Sequence, residues 1–254
     1  MLTAPSLGYL LLSPMIIVFA AAVIGVLVEA FMGKTHRAAA QLTISIGALL
    51  LALVQLWRIR DLSSTTAAVN SVTIDKAGIF LQATVVILAL IAVLLIADQE
   101  NFTAQASAVP GSNEEAVALL QKNQQTEIFP LFMFAVGGMM LFPVATDLIT
   151  LFVALEVFSL PLYLLAGLSR RRRLLSQEAA LKYFLLGAYA SAFFLFGAAF
   201  LYGYAGTISL VGISAAAGSA NEVFLLIGII FVSIGLLFKI SAVPFHSWTP
   251  DVYQ

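Results

Sequence analysis

The chain has 254 residues, of which 61% are hydrophobic and 10% are charged, with a formal net charge of −1. Soluble domains average about 45–50% apolar and about 25% charged residues, so this composition indicates a multi-pass membrane protein in contact with lipid. The near-zero charge gives no support for nucleic-acid binding. The lack of cysteine excludes disulfides, thiolate metal sites and iron–sulfur clusters within this chain, and its two distant histidines disfavour haem or zinc.

Seven segments have the roughly 20 mostly apolar residues that are needed to cross a bilayer. They predict an all-α membrane protein, a polytopic helical bundle. The first Lys or Arg is Lys34, so the first segment is expected to be a spanning helix rather than a cleaved signal peptide. The seven segments are 8–32, 39–57, 77–97, 128–145, 148–168, 179–204 and 223–243.

Polar connections divide the chain between these segments. Residues 98–127 form the longest one and are predicted to be an exposed cytoplasmic loop. We therefore expect residues 1–127 to hold three helices and this loop, and residues 128–254 to hold helices four to seven. Residues 58–76 are predicted to be a polar loop, and residues 203–221 a flexible connector.

The distribution of Lys and Arg predicts that the N-terminus lies outside the cytoplasm. Seven cationic residues then fall in cytoplasmic loops, against three in the outer loops. The run of four arginines dominates this bias and is expected to be a topology anchor, with lipid headgroup contact as a minor addition. The cytoplasmic set is Lys34, Arg37, Lys122 and 170–173, and the outer set is Arg58, Arg60 and Lys76.

Two ionisable residues lie deep within the apolar segments, Glu156 in the fifth and Lys239 in the seventh. A charge at bilayer depth costs about 2.5–3.5 kcal/mol on insertion scales, so such residues usually face a partner, a cavity or an ion path. Glu156 is predicted to exchange protons, the alternative being a protonated carboxyl bonded to a neighbouring helix. Lys239 is predicted to interact with it across helices, the alternative being a side chain that extends to the cytoplasmic surface.

A proline follows each buried charge by five residues, Pro161 after Glu156 and Pro244 after Lys239. Because proline has no N–H, it cannot donate to the carbonyl four residues earlier. The pattern predicts an unpaired backbone carbonyl one residue after each charge. Two charges beside two helix defects indicate a path for protons or small cations.

Three further polar residues have a structural and a functional interpretation. Lys182 follows Glu178 by four residues, the spacing of an ordinary helical ion pair, so a role in proton transfer stays open. His246 titrates in a range that suits a proton relay, and an interfacial hydrogen bond is an equal alternative. Glu29 is expected to pair with Lys34.

Local signals also predict a helix cap and close helix packing. Asp147 precedes the fifth segment and is predicted to cap its N-terminus. Five glycines are expected to let helices approach closely. No Walker loop and no GxGxxG motif is present in the sequence, so no NAD or ATP site is recognisable in this chain. The glycines are Gly137, Gly138, Gly197, Gly203 and Gly206.

The sequence FKISAVPFHSWTPDVYQ, residues 238–254, resembles the seventh-helix region of the subunit N family of proton-translocating NADH–quinone oxidoreductase, respiratory complex I. The family pattern there is roughly F-K-x-S-x-V-P-F-H-x-W-T-P-D-V-Y-Q-G. Its WTPDVYQ part favours subunit N over the related antiporter-like subunits. LFVALEVFSLPLYLLAGL, residues 151–168, resembles the family's fifth helix, and EAALKYFLLGAYASAFFLFG, residues 178–197, its sixth.

The resemblance implies that Glu156, Lys182 and Lys239 match three residues of a charged axis through the membrane arm, with His246 as a possible relay. It implies a subunit of an enzyme that translocates protons as electrons pass from NADH to quinone. This chain would hold no cofactor or metal itself; NADH, flavin, iron–sulfur clusters and quinone would bind partner subunits. The implied location is a bacterial plasma membrane.

Family members have about fourteen helices, including two inverted repeats, whereas this sequence stops before the eighth. We therefore expect the N-terminal half of subunit N, the first inverted-repeat half of an antiporter-like subunit. Its expected partners are the other membrane-arm subunits, lipid and the missing C-terminal half. Two alternatives are a cation/proton antiporter subunit without redox coupling and a structural membrane subunit with inert charges.

Overall fold

The computed structural model describes residues 7–62, 64–97, 111–113, 116–117, 125–168, 173–218 and 222–253. Within these ranges six helices are long and apolar enough to cross a membrane, and a shorter apolar helix covers Ile128–Val144. The predicted all-α membrane class is confirmed. The helices are α1 Tyr9–Phe31, α2 Lys34–Ile59, α3 Lys76–Ala97, α4 Ile128–Leu141, α5 Leu148–Gly167, α6 Arg173–Ala205, α7 Leu210–Ala215, α8 Glu222–Lys239 and α9 Thr249–Tyr253, and a 3-10 turn, Phe142–Val144, follows α4.

Hydropathy located the helices but misplaced several of their ends. α2 begins at Lys34 and α6 at Arg173, each about one turn or more before the predicted start. Both extensions are polar turns, which a hydropathy window excludes although Lys, Arg and Ala favour helix. Most of the predicted loop at 98–127, including Lys122, lies outside the described residues. Residues 170–172 of the predicted arginine anchor lie outside them as well.

A β-hairpin occupies part of the connection that was predicted to be a polar loop. Strand β1, Thr65–Ala67, pairs antiparallel with β2, Val72–Ile74. The strands are rich in Thr, Val and Ile, which suit a pleated surface. At three residues each they are too short for a period of two to be recognised in the sequence.

The connections predicted on the outer side of the membrane meet at one end of the bundle. Val72 of the hairpin forms a bridge with Ala145, between α4 and α5. Thr146 N donates to Ser71 O at 3.0 Å, and Leu210 N donates to Thr146 O at 3.0 Å. The predicted grouping of these connections therefore agrees with the fold, while their absolute side stays a prediction. The predicted flexible connector contains the helix α7.

A second polar group joins the turn between α1 and α2 to the start of α4. The carboxylate of Glu29 accepts from Arg37 at 2.7 Å, from Gln41 at 3.2 Å and from Thr126 at 2.8 Å. The prediction that Glu29 pairs with Lys34 is wrong. Helix α2 begins at Lys34, and Arg37 and Gln41, one and two turns later, contact Glu29 of α1 instead. This group fixes the point where the chain enters α4.

Glycines bring helices into backbone contact at two crossings. A Cβ at Gly138 would lie 2.6 Å from Phe158 N of α5, and one at Gly197 would lie 2.6 Å from Val232 N of α8. The packing role predicted for these two is confirmed. The predicted packing role is wrong for Gly206, where an added Cβ would meet no atom within 4 Å. Gly206 adopts φ +66° and ends α6. Gly203 reaches only Phe224, at 4.0 Å.

We predict that Gly197→Ala loosens the crossing of α6 and α8, because its methyl group would overlap the α8 backbone. Overpacking of this kind costs typically about 1–3 kcal/mol. Gly203→Ala, six residues along the same helix, is the matched control and is expected to leave stability unchanged. The measurement is the thermal midpoint of the helical circular dichroism in detergent. Equal midpoints for the two variants would show that the crossing tolerates a methyl group.

Candidate functional site

Helix α5 begins at the predicted cap and runs through its proline. Asp147 Oδ1 accepts from Thr150 N at 2.8 Å, and its Oδ2 accepts from Thr150 Oγ1 at 2.7 Å, which confirms the cap. The helix continues to Gly167 with Pro161 inside it. The carbonyl of Val157 lacks its usual helical donor there, because proline has no N–H.

One face of α5 carries Glu156, Ser159 and Tyr163, which follow one another at steps of three and four residues. Residues at this spacing lie above each other on a helix, so the three polar groups form a line. Ser159 is fully buried and Tyr163 is 5% exposed, while Glu156 is half-buried. The line faces α6 and α8.

Helix α8 ends at Lys239 through a Schellman turn. Ser241 adopts φ 57°, its N–H donates to Phe238 O at 3.1 Å, and Ala242 N donates to Leu237 O at 3.0 Å. Helix α8 ends five residues before Pro244, so the turn rather than the proline interrupts helical bonding, and the predicted unpaired carbonyl after Lys239 stays a prediction. The ammonium of Lys239 therefore lies at a helix C-terminus, where the helix dipole favours a cation.

The Lys239 ammonium is held by hydroxyl groups of α5. Its Nζ donates to Ser159 Oγ at 2.5 Å and to Tyr163 Oη at 3.1 Å. Three aromatic rings surround it, those of Phe158 at 5.6 Å, Tyr163 at 5.5 Å and Phe238 at 5.9 Å. Hydroxyl oxygens and ring faces both attract a cation, so the side chain is bound within the helix junction.

Glu156 binds a different helix. Its Oε1 accepts a hydrogen bond from the Ser191 hydroxyl of α6. Among the described residues no ion pair within 4 Å joins Glu156 to Lys239. The two predicted charges thus lie on neighbouring parts of one polar line, each bonded to hydroxyls rather than to the other.

Lys182 lies apart from that line, in a pair of ion contacts. Its Nζ is 2.7 Å from Glu178 Oε1, as the helical spacing predicted, and 2.8 Å from Asp251 Oδ2 of α9. The side chains of Lys182 and Asp251 are 46% and 37% exposed in this chain. Sequence reasoning missed Asp251, because its contact depends on the turn that folds α9 back onto α6.

An aromatic cluster joins α5, α6, α8 and the turn before α9 next to these charges. Tyr183 stacks on Trp248 with ring centroids 4.2 Å apart, and it meets Tyr163 edge-on at 4.4 Å. Trp248 Nε1 donates to Phe238 O at 3.3 Å. The cluster fixes the Tyr163 ring beside Lys239 and holds α9, with Asp251, against α6.

His246 lies on the exposed surface of the turn after α8. Its carbonyl accepts from Thr249 N at 3.0 Å. Its proposed relay role stays a prediction. In the part of the chain that the structure describes, no cluster of three or more His, Cys, Asp or Glu residues is arranged to hold a metal ion.

Comparison with known proteins gives relatives for the whole chain. The family model described as NADH:quinone oxidoreductase/Mrp antiporter, TM, matches residues 145–254. The curated NADH-quinone oxidoreductase subunit N of Thermobifida fusca (strain YX) is 52% identical over 99% of this chain and 48% of its own length. The chain thus spans about half the length of the curated relatives that it matches.

Solved structures share the fold. A chain of respiratory complex I from Thermus thermophilus with bound Aureothin matches 95% of this chain and 47% of its own length, with a TM-score of 0.72 and 29% identity. A chain of the Mrp complex from Dietzia sp. DQ12-45-1b matches 96% of this chain and 43% of its own, with a TM-score of 0.73 and 20% identity. The antiporter-like membrane fold expected from the sequence is confirmed.

We predict that the docking of α9 depends more on Trp248 than on Asp251. A buried aromatic residue contributes roughly 1.5–3 kcal/mol, whereas an exposed ion pair contributes about 0–1 kcal/mol. Trp248→Leu is therefore expected to speed amide hydrogen exchange in the peptide that contains α9 more than Asp251→Asn does. The measurement is hydrogen–deuterium exchange with mass spectrometry in lipid nanodiscs. Faster exchange in Asp251→Asn than in Trp248→Leu would assign the docking of α9 to the ion pair.

Proposed function

We propose that this chain, which is homologous over its whole length to about half of NADH-quinone oxidoreductase subunit N, takes part in proton translocation in the membrane arm of that oxidoreductase. The observation that carries the proposal is the Lys239 ammonium bound to Ser159 of α5, a residue that lies about one helical turn after Glu156 on the same helix. Each ionisable side chain within an apolar helix adds to the cost of insertion, which favours a functional role over a purely structural one.

In the proposed mechanism, proton transfer is driven by changes in charge. A change in charge arriving from the quinone-side subunits alters the interaction between Glu156 and Lys239. At 4 Å and an effective dielectric constant of 20, two unit charges interact by about 4 kcal/mol. A change of that size is sufficient to decide whether Lys239 takes up or releases a proton. Lys182 then passes the proton toward the next charged site, with His246 as a possible relay.

The residues of the site suit this task chemically. The Lys239 ammonium carries a proton that it can release, and the hydroxyl oxygens of Ser159 and Tyr163 accept hydrogen bonds from it. The Schellman turn at the end of α8 engages the carbonyls of Leu237 and Phe238, so the hydroxyls of α5 are the polar groups bonded to the ammonium. Water that enters this junction would have polar groups to bind.

The proposal assigns the redox chemistry to other subunits. NADH, flavin, iron–sulfur clusters and quinone would bind partner subunits, and this chain would contribute a membrane-embedded part of the enzyme. Its partners would be other membrane-arm subunits, lipid and the remaining half of subunit N. Its location would be a bacterial plasma membrane, which it crosses several times. The identity of about half of all residues to subunit N favours this function over that of an antiporter without redox coupling.

We predict that Lys239→Met abolishes proton translocation in the assembled oxidoreductase, because the methionine side chain is of similar length but carries no proton. The measurement is NADH-driven proton uptake into inverted membrane vesicles, with NADH oxidation followed in parallel. Glu156→Gln is expected to lower uptake as well, since it removes the charge that acts on Lys239.

Lys76→Met is the matched control, because Lys76 lies exposed at the start of α3 and far along the chain from the site. Native gels must show that each variant assembles. If an assembled Lys239→Met complex takes up protons as well as the Lys76→Met complex, the charges are inert and the proposed function is wrong.

A further inference from the structure

We propose that Ser159 and Tyr163 are positioning residues that hold the Lys239 ammonium away from Glu156, so that Lys239 has two alternative binding positions along α5. This inference rests on the proposed function and names what controls its central pair. The first position is the hydroxyl pair, Ser159 and Tyr163, which the structure shows occupied. The second is the carboxylate of Glu156.

The hydroxyl pair is oriented to accept from a cation. Ser159 Oγ donates its own proton to the Leu155 carbonyl, one turn earlier on α5. A serine has only one hydroxyl proton, so its oxygen is left to accept from Lys239. Ser159 is fully buried, which removes competing water from this oxygen.

The Tyr163 hydroxyl is fixed by a space that only glycine provides. A Cβ at Gly187 of α6 would lie 2.0 Å from Tyr163 Oη and 2.6 Å from Cζ. The ring is also held edge-on by Tyr183 and by Phe184, with centroids 4.4 and 5.8 Å away. Because the ring cannot turn freely, its hydroxyl stays where it meets the Lys239 ammonium.

The second position is close and is also held ready. Glu156 and Ser159 are three residues apart on α5, which is about 4.5 Å along a helix axis. The Ser191 hydroxyl of α6 donates to the Glu156 carboxylate and keeps it on this face. The long, flexible side chain of Lys239 can cover that distance without a movement of the helices.

The two positions differ in their response to charge. Neutral hydroxyls and ring faces bind the ammonium in the same way whether Glu156 is ionised or protonated, whereas the carboxylate binds it strongly only when ionised. A change in the charge of Glu156 therefore moves Lys239 between the positions. Without the hydroxyl pair, Lys239 would have no second binding position and would stay bound to Glu156 whenever that carboxylate is ionised.

The test is Tyr163→Phe in the assembled oxidoreductase, which removes one hydroxyl and keeps the ring. A hydrogen bond to a charged group is worth about a factor of ten or more in an equilibrium, so NADH-driven proton uptake is expected to fall about tenfold. A cryo-electron microscopy map of the variant is expected to show Lys239 Nζ bonded to the Glu156 carboxylate. Ser159→Ala removes the other hydroxyl and is expected to act in the same direction.

Tyr189→Phe is the matched control, since it removes the same hydroxyl from an exposed tyrosine of α6 that lies outside the aromatic cluster. It is expected to keep wild-type proton uptake. If Tyr163→Phe also keeps it, or if both variants lose it equally, the positioning role is overturned. The same follows if Lys239 stays on Ser159 in the map of Tyr163→Phe.

The Lys239→Met variant separates this inference from the function on which it rests. If Lys239→Met abolishes uptake while Tyr163→Phe does not change it, only the positioning role fails. If Lys239→Met itself pumps normally, the proposed function fails, and the inference fails with it.

Discussion

The need to bind a cation inside an apolar bundle is the constraint on which the rest of this site depends. An ammonium within a membrane-spanning segment loses its hydration, and protein groups must replace it. Here the replacement comes from Ser159 and Tyr163 of a single helix face and from the surrounding aromatic rings. The glycine at position 187 of α6 serves the same purpose, because any side chain there would displace the Tyr163 hydroxyl.

The end of α8 connects two charged groups that are separate in the fold. By stopping at Lys239, the helix leaves the ammonium at its C-terminus, where the dipole is favourable. The turn that follows returns the chain, so that Trp248 stacks on α6 and Asp251 meets Lys182. A displacement of this turn would thus act on Lys239 and Lys182 together, as the proposed transfer of protons between them would require.

Helix α6 links the two halves of the site because its small residues face both neighbours. Gly187 and Ser191 meet α5, where one makes room for Tyr163 and the other binds Glu156. Gly197 meets the backbone of α8 further along the same helix. Small side chains allow this close packing, and close packing in turn fixes how the polar face of α5 lies against α8.

The sequence by itself determined the membrane class, the seven apolar segments, the Asp147 cap and the two charges within apolar segments, because hydropathy, caps and isolated charges are local signals. Only the tertiary structure decided what those charges bind. Ser159 and Lys239 are 80 residues apart, and Lys182 and Asp251 are 69 apart. Contacts at such distances depend on the rotation of each helix and on the turn that ends it, and serine and tyrosine are too common in membrane helices to mark them in advance.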